Sequence, residues 1–195
     1  MPITGHGWEF HVVRLGLHKS GPKPRTYGEY QVYLDGQKIE TLRGHVCECT
    51  GKGNLVKNSG RRIKEGRYPL STQFHKFVTI GYSEDLHTPG KKPMPAILLE
   101  GTDPRDGILI HPAHPPAASL YISSIGCLNP TNPLNPADKM DFWDSRKRVI
   151  ALIDDLHRFA PAAFERHKNT SIPGAWAVID GEPMNVLTAS APAIA

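Results

Sequence analysis

Residues 8–42 carry the pattern that most restricts how this chain can fold. The stretches WEFHVVRLGLH and EYQVYLDGQKIETL are rich in aromatic and β-branched residues, which favour strands. Asp35-Gly36 stands between alternating flanks in the second stretch, and this dipeptide is a strong signal for a two-residue hairpin turn. The N-terminal third is therefore predicted to form an antiparallel sheet.

More strand-like stretches follow in the middle of the chain. GRYPLSTQFHKFVTI resumes the strand pattern after a basic, Gly-rich segment, and AILLE and GILI are short apolar runs on either side of the turn-forming residues 103–107. After Cys127, three Asn-Pro pairs disfavour helix, so a surface loop is expected there.

One helix is predicted in the last third. Asp141 is suited to cap the stretch FWDSRKRVIALIDDLHRFA, whose apolar residues recur at helical intervals, and Pro161 ends it. A short helix, AAFERHK, and a strand, AWAVIDG, are expected to follow. The predicted fold is mainly β, a sandwich or barrel-like sheet with one or two C-terminal helices. It forms one domain over residues 1–185, with a flexible tail over residues 186–195.

Charge and cysteine content exclude several classes of protein. The chain has 23 basic and 19 acidic residues without a concentrated basic stripe, so no nucleic-acid partner is expected. Three cysteines exclude a disulfide framework and leave at least one free thiol. No membrane span and no Sec signal are recognised, so synthesis in the cytoplasm is expected.

His111 and Cys127 are the residues most suited to chemistry. His111 follows the apolar run GILI, and Cys127 follows Gly126. A cysteine attacks an acyl carbon as the thiolate, and a nearby imidazole takes its proton. Gly126 would let the backbone approach a substrate and offer N–H groups to an oxyanion. Taken singly, such a cysteine and histidine are more often structural, so a pattern must connect them.

Such a pattern is present, because IHPAHPPAASLYISSIGCLN resembles the signature of the L,D-transpeptidase catalytic domain, the YkuD-like family. The signature has a strand that ends in His and, further on, Ser/Thr-x-Gly-Cys with a hydrophobic residue. Here these positions are His111 and Ser124-Ile125-Gly126-Cys127-Leu128. Thr50-Gly51 and Glu65-Gly66-Arg67-Tyr68 stand in the places of two upstream motifs. The resemblance covers residues 8–130.

The chain departs from the family pattern at three places near the site. Ile125 stands where many members have His, and Pro112 replaces the usual Gly after the base. Asn129-Pro130 stands where many members have Arg. These changes leave the thiol chemistry in place and concern recognition of the donor substrate.

The resemblance implies a peptidoglycan-modifying cysteine enzyme that needs no cofactor or metal. Cys127 would attack a carbonyl of a stem peptide to form a thioester, with His111 as the general base and the Gly126 and Cys127 backbone as oxyanion donors. Attack by an amine gives transpeptidation or amino-acid exchange, and attack by water gives carboxypeptidase hydrolysis. Ser124 and Tyr121 would line the site, and His114 is the alternative base.

The expected partners follow from this substrate. Peptidoglycan lies outside the cytoplasm, so the expected place of action is the periplasm or cell wall after specialised export. The chain would then be an antibacterial toxin effector or a phage-encoded protein. Its partners would be peptidoglycan stem peptides, a secretion machine and an immunity protein.

Two alternatives from other classes stay open. Ile125 and the missing Arg favour a catalytically inactive peptidoglycan-binding or structural domain. His45, Cys47 and Cys49 alternate in GHVCEC and would share one strand face, as in a zinc site, although such a site needs a fourth ligand.

A third alternative is a cysteine peptidase of the papain type, with His157 or His167 after the cysteine. Those enzymes place the cysteine at the start of a helix. The prolines that follow Cys127 argue against a helix there.

Overall fold

The hairpin predicted at Asp35-Gly36 is present in the computed structural model of this protein, where it joins two long neighbouring strands of the sheet. The structure describes residues 2–20, 23–74, 94–113, 125–183 and 185–187. The strands are β1 (Trp8–His18), β2 (Arg25–Leu34), β3 (Gln37–Glu48), β4 (Gly66–Thr72), β5 (Ile97–Leu99), β6 (Leu109–Ile110), β7 (Asn129–Thr131), β8 (Ser171–Asp180) and β9 (Val186–Leu187). Between β7 and β8 lie the helix α1 (Phe142–Phe159) and a 3-10 helix (Pro161–Ala163).

The strands form one mixed sheet that nearly closes into a barrel. Their order is β6-β5-β4-β8-β1-β2-β3-β7, and β9 pairs with β1 outside this path. An isolated parallel bridge between Ile110 and Leu128 joins the two edges of the sheet. The prediction of a mainly β, barrel-like fold with a C-terminal helix is confirmed.

The inner face of this near-barrel holds the main hydrophobic core. Side chains alternate between the two faces of a strand, and alternate residues such as Phe10, Val46 and Leu128 point inward. Trp8, at the start of β1, also lies in this core, and its ring Nε1 donates to Asp155 Oδ2 on α1 at 2.8 Å. The helix is therefore fastened to the sheet by packing and by a hydrogen bond.

The helix α1 begins and ends as the sequence predicts. Asp141 caps it by accepting a hydrogen bond from the Asp144 amide at 2.7 Å, and it ends just before Pro161. Its buried face adds Val149, Ile150, Leu152, Ile153 and Leu156 to the core. Over the described residues, no helix is long and apolar enough to cross a membrane.

Two local predictions are wrong. The stretch AAFERHK is not an α-helix, because it contains only the end of the 3-10 helix and His167 takes a left-handed φ of 48°. The Asn-Pro-rich stretch is not simply a surface loop, because it contains β7, in which Asn129 and Thr131 are fully buried beside β3. Pro130 is tolerated at this sheet edge, where a missing N–H costs little.

A short strand, β9, lies at the C-terminal end of the described residues. Val186–Leu187 forms β9, within the segment 186–195 that the sequence assigns to a tail. Just before it, the Asn185 carbonyl accepts a hydrogen bond from the Leu17 amide at 2.9 Å. Residues 188–195 lie outside the described residues.

A buried ion pair connects β1 to the end of β3 on the inner face. The Nε and Nη2 of Arg14 each donate to one carboxylate oxygen of Glu48 at 2.7 Å, and both side chains are 1% exposed. Arg14 also donates to the carbonyls of Ile63 at 2.7 Å and Gly181 at 3.0 Å. This guanidinium therefore joins three other segments to β1 through charge-assisted hydrogen bonds.

Glu48→Gln should destabilise the fold strongly, because it removes the carboxylate bound directly to the buried Arg14 and leaves only Glu182, 3.9 Å away, as its counter-charge. The expected loss in the free energy of unfolding is about 3–5 kcal/mol. The control is Asp106→Asn, which breaks the exposed Lys57–Asp106 pair and should cost less than about 1 kcal/mol. Urea unfolding measures both, and equal losses would contradict the importance of the buried pair.

Candidate functional site

The candidate cysteine and histidine lie where the two edges of the sheet meet. We call this junction, formed by residues 109–111 and 127–129, the seam. The His111 amide donates to the Leu128 carbonyl at 3.0 Å, and the Leu128 amide donates to the Leu109 carbonyl at 2.8 Å. These bonds set a parallel register in which Cys127 lies beside Leu109 and Asn129 lies beside His111.

Cys127, Asn129 and His111 all point to the outer face of the sheet. Their neighbours Leu128 and Ile110 lie in the core on the inner face, and successive side chains of a strand alternate. Strands lie about 4.8 Å apart and a two-residue step is about 6.6 Å, so the Cα atoms of Cys127 and His111 are about 8 Å apart as diagonal neighbours. The register thus brings the two predicted residues together on one face.

His111 is held in one tautomer. Its Nδ1 lies 2.7 Å from the Pro112 carbonyl oxygen. Because a carbonyl only accepts hydrogen bonds, Nδ1 carries the proton and Nε2 is the basic nitrogen of the ring. This is the form that a general base requires.

Asn129 is a site residue that the sequence reasoning missed. Its Nδ2 donates to the His111 carbonyl at 3.0 Å and lies 3.4 Å from each nitrogen of the His111 ring. The side chain therefore fixes the position of the imidazole. The spacing of Cys127 and Asn129 was the available signal, because two residues that are two positions apart share a face wherever the chain is a strand.

The Cys127 sulfur has polar neighbours on the β6 side of the seam. The Leu109 amide donates to Sγ at 3.4 Å, and the thiol donates to the Gly107 carbonyl at 3.7 Å. The amide favours the thiolate, because it hydrogen-bonds to the charged form, whereas the Gly107 carbonyl accepts from the thiol and favours the neutral form. The side chain is 7% exposed.

Gly126 makes the tight turn before the cysteine, and only glycine fits there. Its φ is 96°, and a Cβ would clash with the Arg105 guanidinium and lie 3.2 Å from the Arg61 carbonyl. The Gly126 amide faces Cys49 and acts to lower the pKa of that thiol, against the increase that burial causes. Of the two oxyanion donors that the resemblance implies, this one is therefore directed at Cys49 here.

Three predicted site residues cannot be placed. Ser124, Tyr121 and His114 lie outside the described residues. Of the two candidate bases, only His111 lies among the described residues.

The alternating residues at the end of β3 and just beyond it do not form a metal site in the part of the chain that the structure describes. His45 stacks on the ring of Tyr27, with 5.2 Å between ring centroids, and Cys47 packs in an apolar cluster with Tyr27 and Met140. Burial raises the pKa of Cys47 to about 11, which disfavours a thiolate ligand. Among the described residues, no three His, Cys, Asp or Glu side chains are grouped to hold a metal ion.

The elements after Cys127 argue against a papain-type peptidase. The cysteine leads directly into β7, and the helix α1 begins only at Phe142. His157 lies on that helix and contacts the ring of Phe164, with 5.0 Å between ring centroids. The cysteine therefore lacks the helix start that such enzymes use.

Comparison with known proteins adds no relative. No protein-family model, curated protein or solved structure matches this chain significantly. The interpretation of the site therefore rests on its motif residues and on the geometry of the seam.

Gly126→Ala should destabilise the protein more than Gly60→Ala. Both glycines have left-handed φ values, 96° and 67°, so each alanine imposes backbone strain of about 1–2 kcal/mol. Nothing lies within 4 Å of a Cβ at Gly60, whereas a Cβ at Gly126 meets Arg105. Overpacking should therefore add about 1–3 kcal/mol at Gly126 alone. Thermal unfolding measures both variants, and equal losses would mean that the turn relaxes away from Arg105.

Proposed function

We propose that this protein is a peptidoglycan-modifying cysteine acyltransferase of the L,D-transpeptidase type, acting on stem peptides through a thioester on Cys127. The observation that supports this proposal best is the register of the seam. It brings His111 and Cys127, the two residues that carry the sequence resemblance, to one face of the sheet as diagonal neighbours.

In the first step, the sulfur of Cys127 attacks the carbonyl carbon of a stem-peptide bond between an L- and a D-centre. His111 Nε2 takes the thiol proton. The negative charge that forms on the carbonyl oxygen is stabilised by the Cys127 amide. The C–N bond then breaks, the imidazolium gives its proton to the departing amine, and the acyl group stays on sulfur as a thioester.

In the second step, an amine or a water molecule attacks the thioester carbonyl and gives a proton to His111. The C–S bond breaks, and the departing thiolate of Cys127 takes that proton back. An amine acceptor gives transpeptidation or exchange of the terminal residue, whereas water gives a shortened stem peptide. Asn129 is the positioning residue for the base, because it holds the His111 backbone and lies against the ring.

Cys127 should be the most reactive of the three thiols. Burial raises the pKa of Cys47 and of Cys49 to about 11. About one thiol in 10⁴ is then ionised at either site at pH 7. Cys127 has the Leu109 amide at its sulfur and a base beside it, so it should react with iodoacetamide at least about 100-fold faster than either. Timed alkylation followed by mass-spectrometric peptide mapping gives the three rates.

Two histidine variants are the controls for this measurement. His111→Ala should remove the advantage of Cys127, whereas His114→Ala should leave most of it. Equal rates at the three cysteines of the unmodified chain would contradict the proposed nucleophile.

The reaction type follows from the products formed with muropeptides. Loss of a terminal D-amino acid indicates carboxypeptidase action, and exchange or dimer formation indicates transpeptidation. Cys127→Ser should abolish either, because a serine hydroxyl is a far weaker nucleophile at neutral pH. A reactive Cys127 with unchanged muropeptides would instead favour a binding domain.

The proposed place of action is the periplasm, because the proposed substrate lies there. Expression with a periplasmic signal in a Gram-negative host should therefore be toxic, and cytoplasmic expression should not. Cys127→Ala is the matched control and should be harmless in both compartments. Equal toxicity of the unmodified chain in both compartments would indicate another target.

A further inference from the structure

Arg105, in the turn between β5 and β6, is a buried cation held by neutral groups. It is 5% exposed. Its guanidinium donates to the carbonyls of Asn54 at 2.9 Å, Arg61 at 2.8 Å, Arg62 at 3.1 Å and Ile125 at 3.4 Å. Within the described residues, no carboxylate forms an ion pair with it.

Two other buried arginines of this protein are paired with carboxylates. Arg14 has Glu48, and Arg62 donates to Glu182. Burying a charge without a counter-charge is costly, so a negative charge that forms near the Arg105 guanidinium would be stabilised by it. The charge of Arg105 is therefore not compensated by a carboxylate of the described residues, and it can act on a negative charge nearby.

The guanidinium of Arg105 lies against the backbone turn at Gly126, next to the candidate nucleophile. The guanidinium packs so closely on Gly126 that a side chain there would clash, and Gly126 immediately precedes Cys127. The charge of Arg105 also acts on the nearby Cys49 sulfur. Burial raises the pKa of the Cys49 thiol, and the nearby Arg105 charge opposes that increase.

We propose that Arg105 is a positioning residue of the candidate site, whose buried charge stabilises the Cys127 thiolate and the oxyanion that forms next to it. This inference rests on the proposed function of Cys127. The carbonyls hold the guanidinium in place without neutralising it, so the charge is already oriented before the reaction starts.

The charged or titratable groups that face this corner come from several elements. His111 lies on the β6 side, and Cys49 and Glu48 lie at the end of β3. The Glu48 carboxylate is bound by Arg14, so its charge is compensated. Lys57 and Asp106 also lie at this corner, but both are exposed and they pair with each other. Arg105 is therefore the buried cation of this group that is left to act on the site.

The test is the pH dependence of Cys127 alkylation in the full chain. Iodoacetamide rates are measured by peptide mapping from pH 5 to 10 for the unmodified protein and for Arg105→Met and Arg105→Lys. Loss of the charge should raise the midpoint of the profile by about one pH unit, a tenfold lower thiolate fraction at neutral pH. Arg105→Lys keeps the charge and should restore most of the difference.

Lys57→Met is the matched control. Lys57 lies at the same corner of the fold but is exposed, so solvent screens its charge and the midpoint should not change. An equal increase in the Lys and Met variants of Arg105 would indicate a merely structural role and overturn the inference.

The remaining outcomes separate this inference from the proposed function. A reactive Cys127 whose midpoint is the same in Arg105→Met overturns the role of Arg105 and leaves the proposed nucleophile intact. An unreactive Cys127 in the unmodified chain overturns both. If Arg105→Met does not fold, Arg105→Gln carries the test, because it keeps hydrogen-bond donors and removes the charge: a midpoint raised by about one pH unit supports the inference, and an unchanged midpoint overturns it.

Discussion

The backbone hydrogen bonds between β6 and the start of β7 hold the fold and the candidate site together. They run from the His111 amide to the Leu128 carbonyl and from the Leu128 amide to the Leu109 carbonyl. They close the sheet, and they also decide which side chains face outward. A slip of one residue would turn Cys127 into the core and Leu128 toward the outside. The same hydrogen bonds therefore close the sheet and bring Cys127 to His111.

Alternation along the strands lets the seam serve two purposes. Its inward residues complete the apolar core, and its outward residues form the candidate site. The turn at Gly126 needs a further support, which comes from the basic, Gly-rich segment of residues 51–66. Carbonyls of this segment accept hydrogen bonds from Arg105, and the Arg105 guanidinium packs against the turn at Gly126. A segment that looks like a simple connection in the sequence thus helps to set the geometry of the site.

The parts of the fold that the sequence predicts are those specified by neighbouring residues. The hairpin and α1 depend on a turn dipeptide, a cap and short-range periodicity, and both are present. The strand β7 was missed because Asn-Pro pairs signal turns locally, whereas its pairing with β3 is a long-range interaction that tolerates Pro130. Asn129 was missed for the same reason. The motif identified His111 and Cys127, but their approach depends on closure of the whole sheet, which no local pattern reports.

The three cysteines show why residue type and burial do not identify a nucleophile. Cys47, Cys49 and Cys127 are 1%, 6% and 7% exposed, so burial hardly distinguishes the last two. Their neighbours do. Cys47 lies in an apolar cluster, and Cys49 receives the amide of Gly126, yet burial raises the pKa of both to about 11. Cys127 has an amide at its sulfur and His111 as its diagonal neighbour across the seam. Cys127 is a candidate for catalysis because closure of the sheet brings His111 to its side. A cysteine on a strand away from the seam would lack this histidine and would have only a packing role.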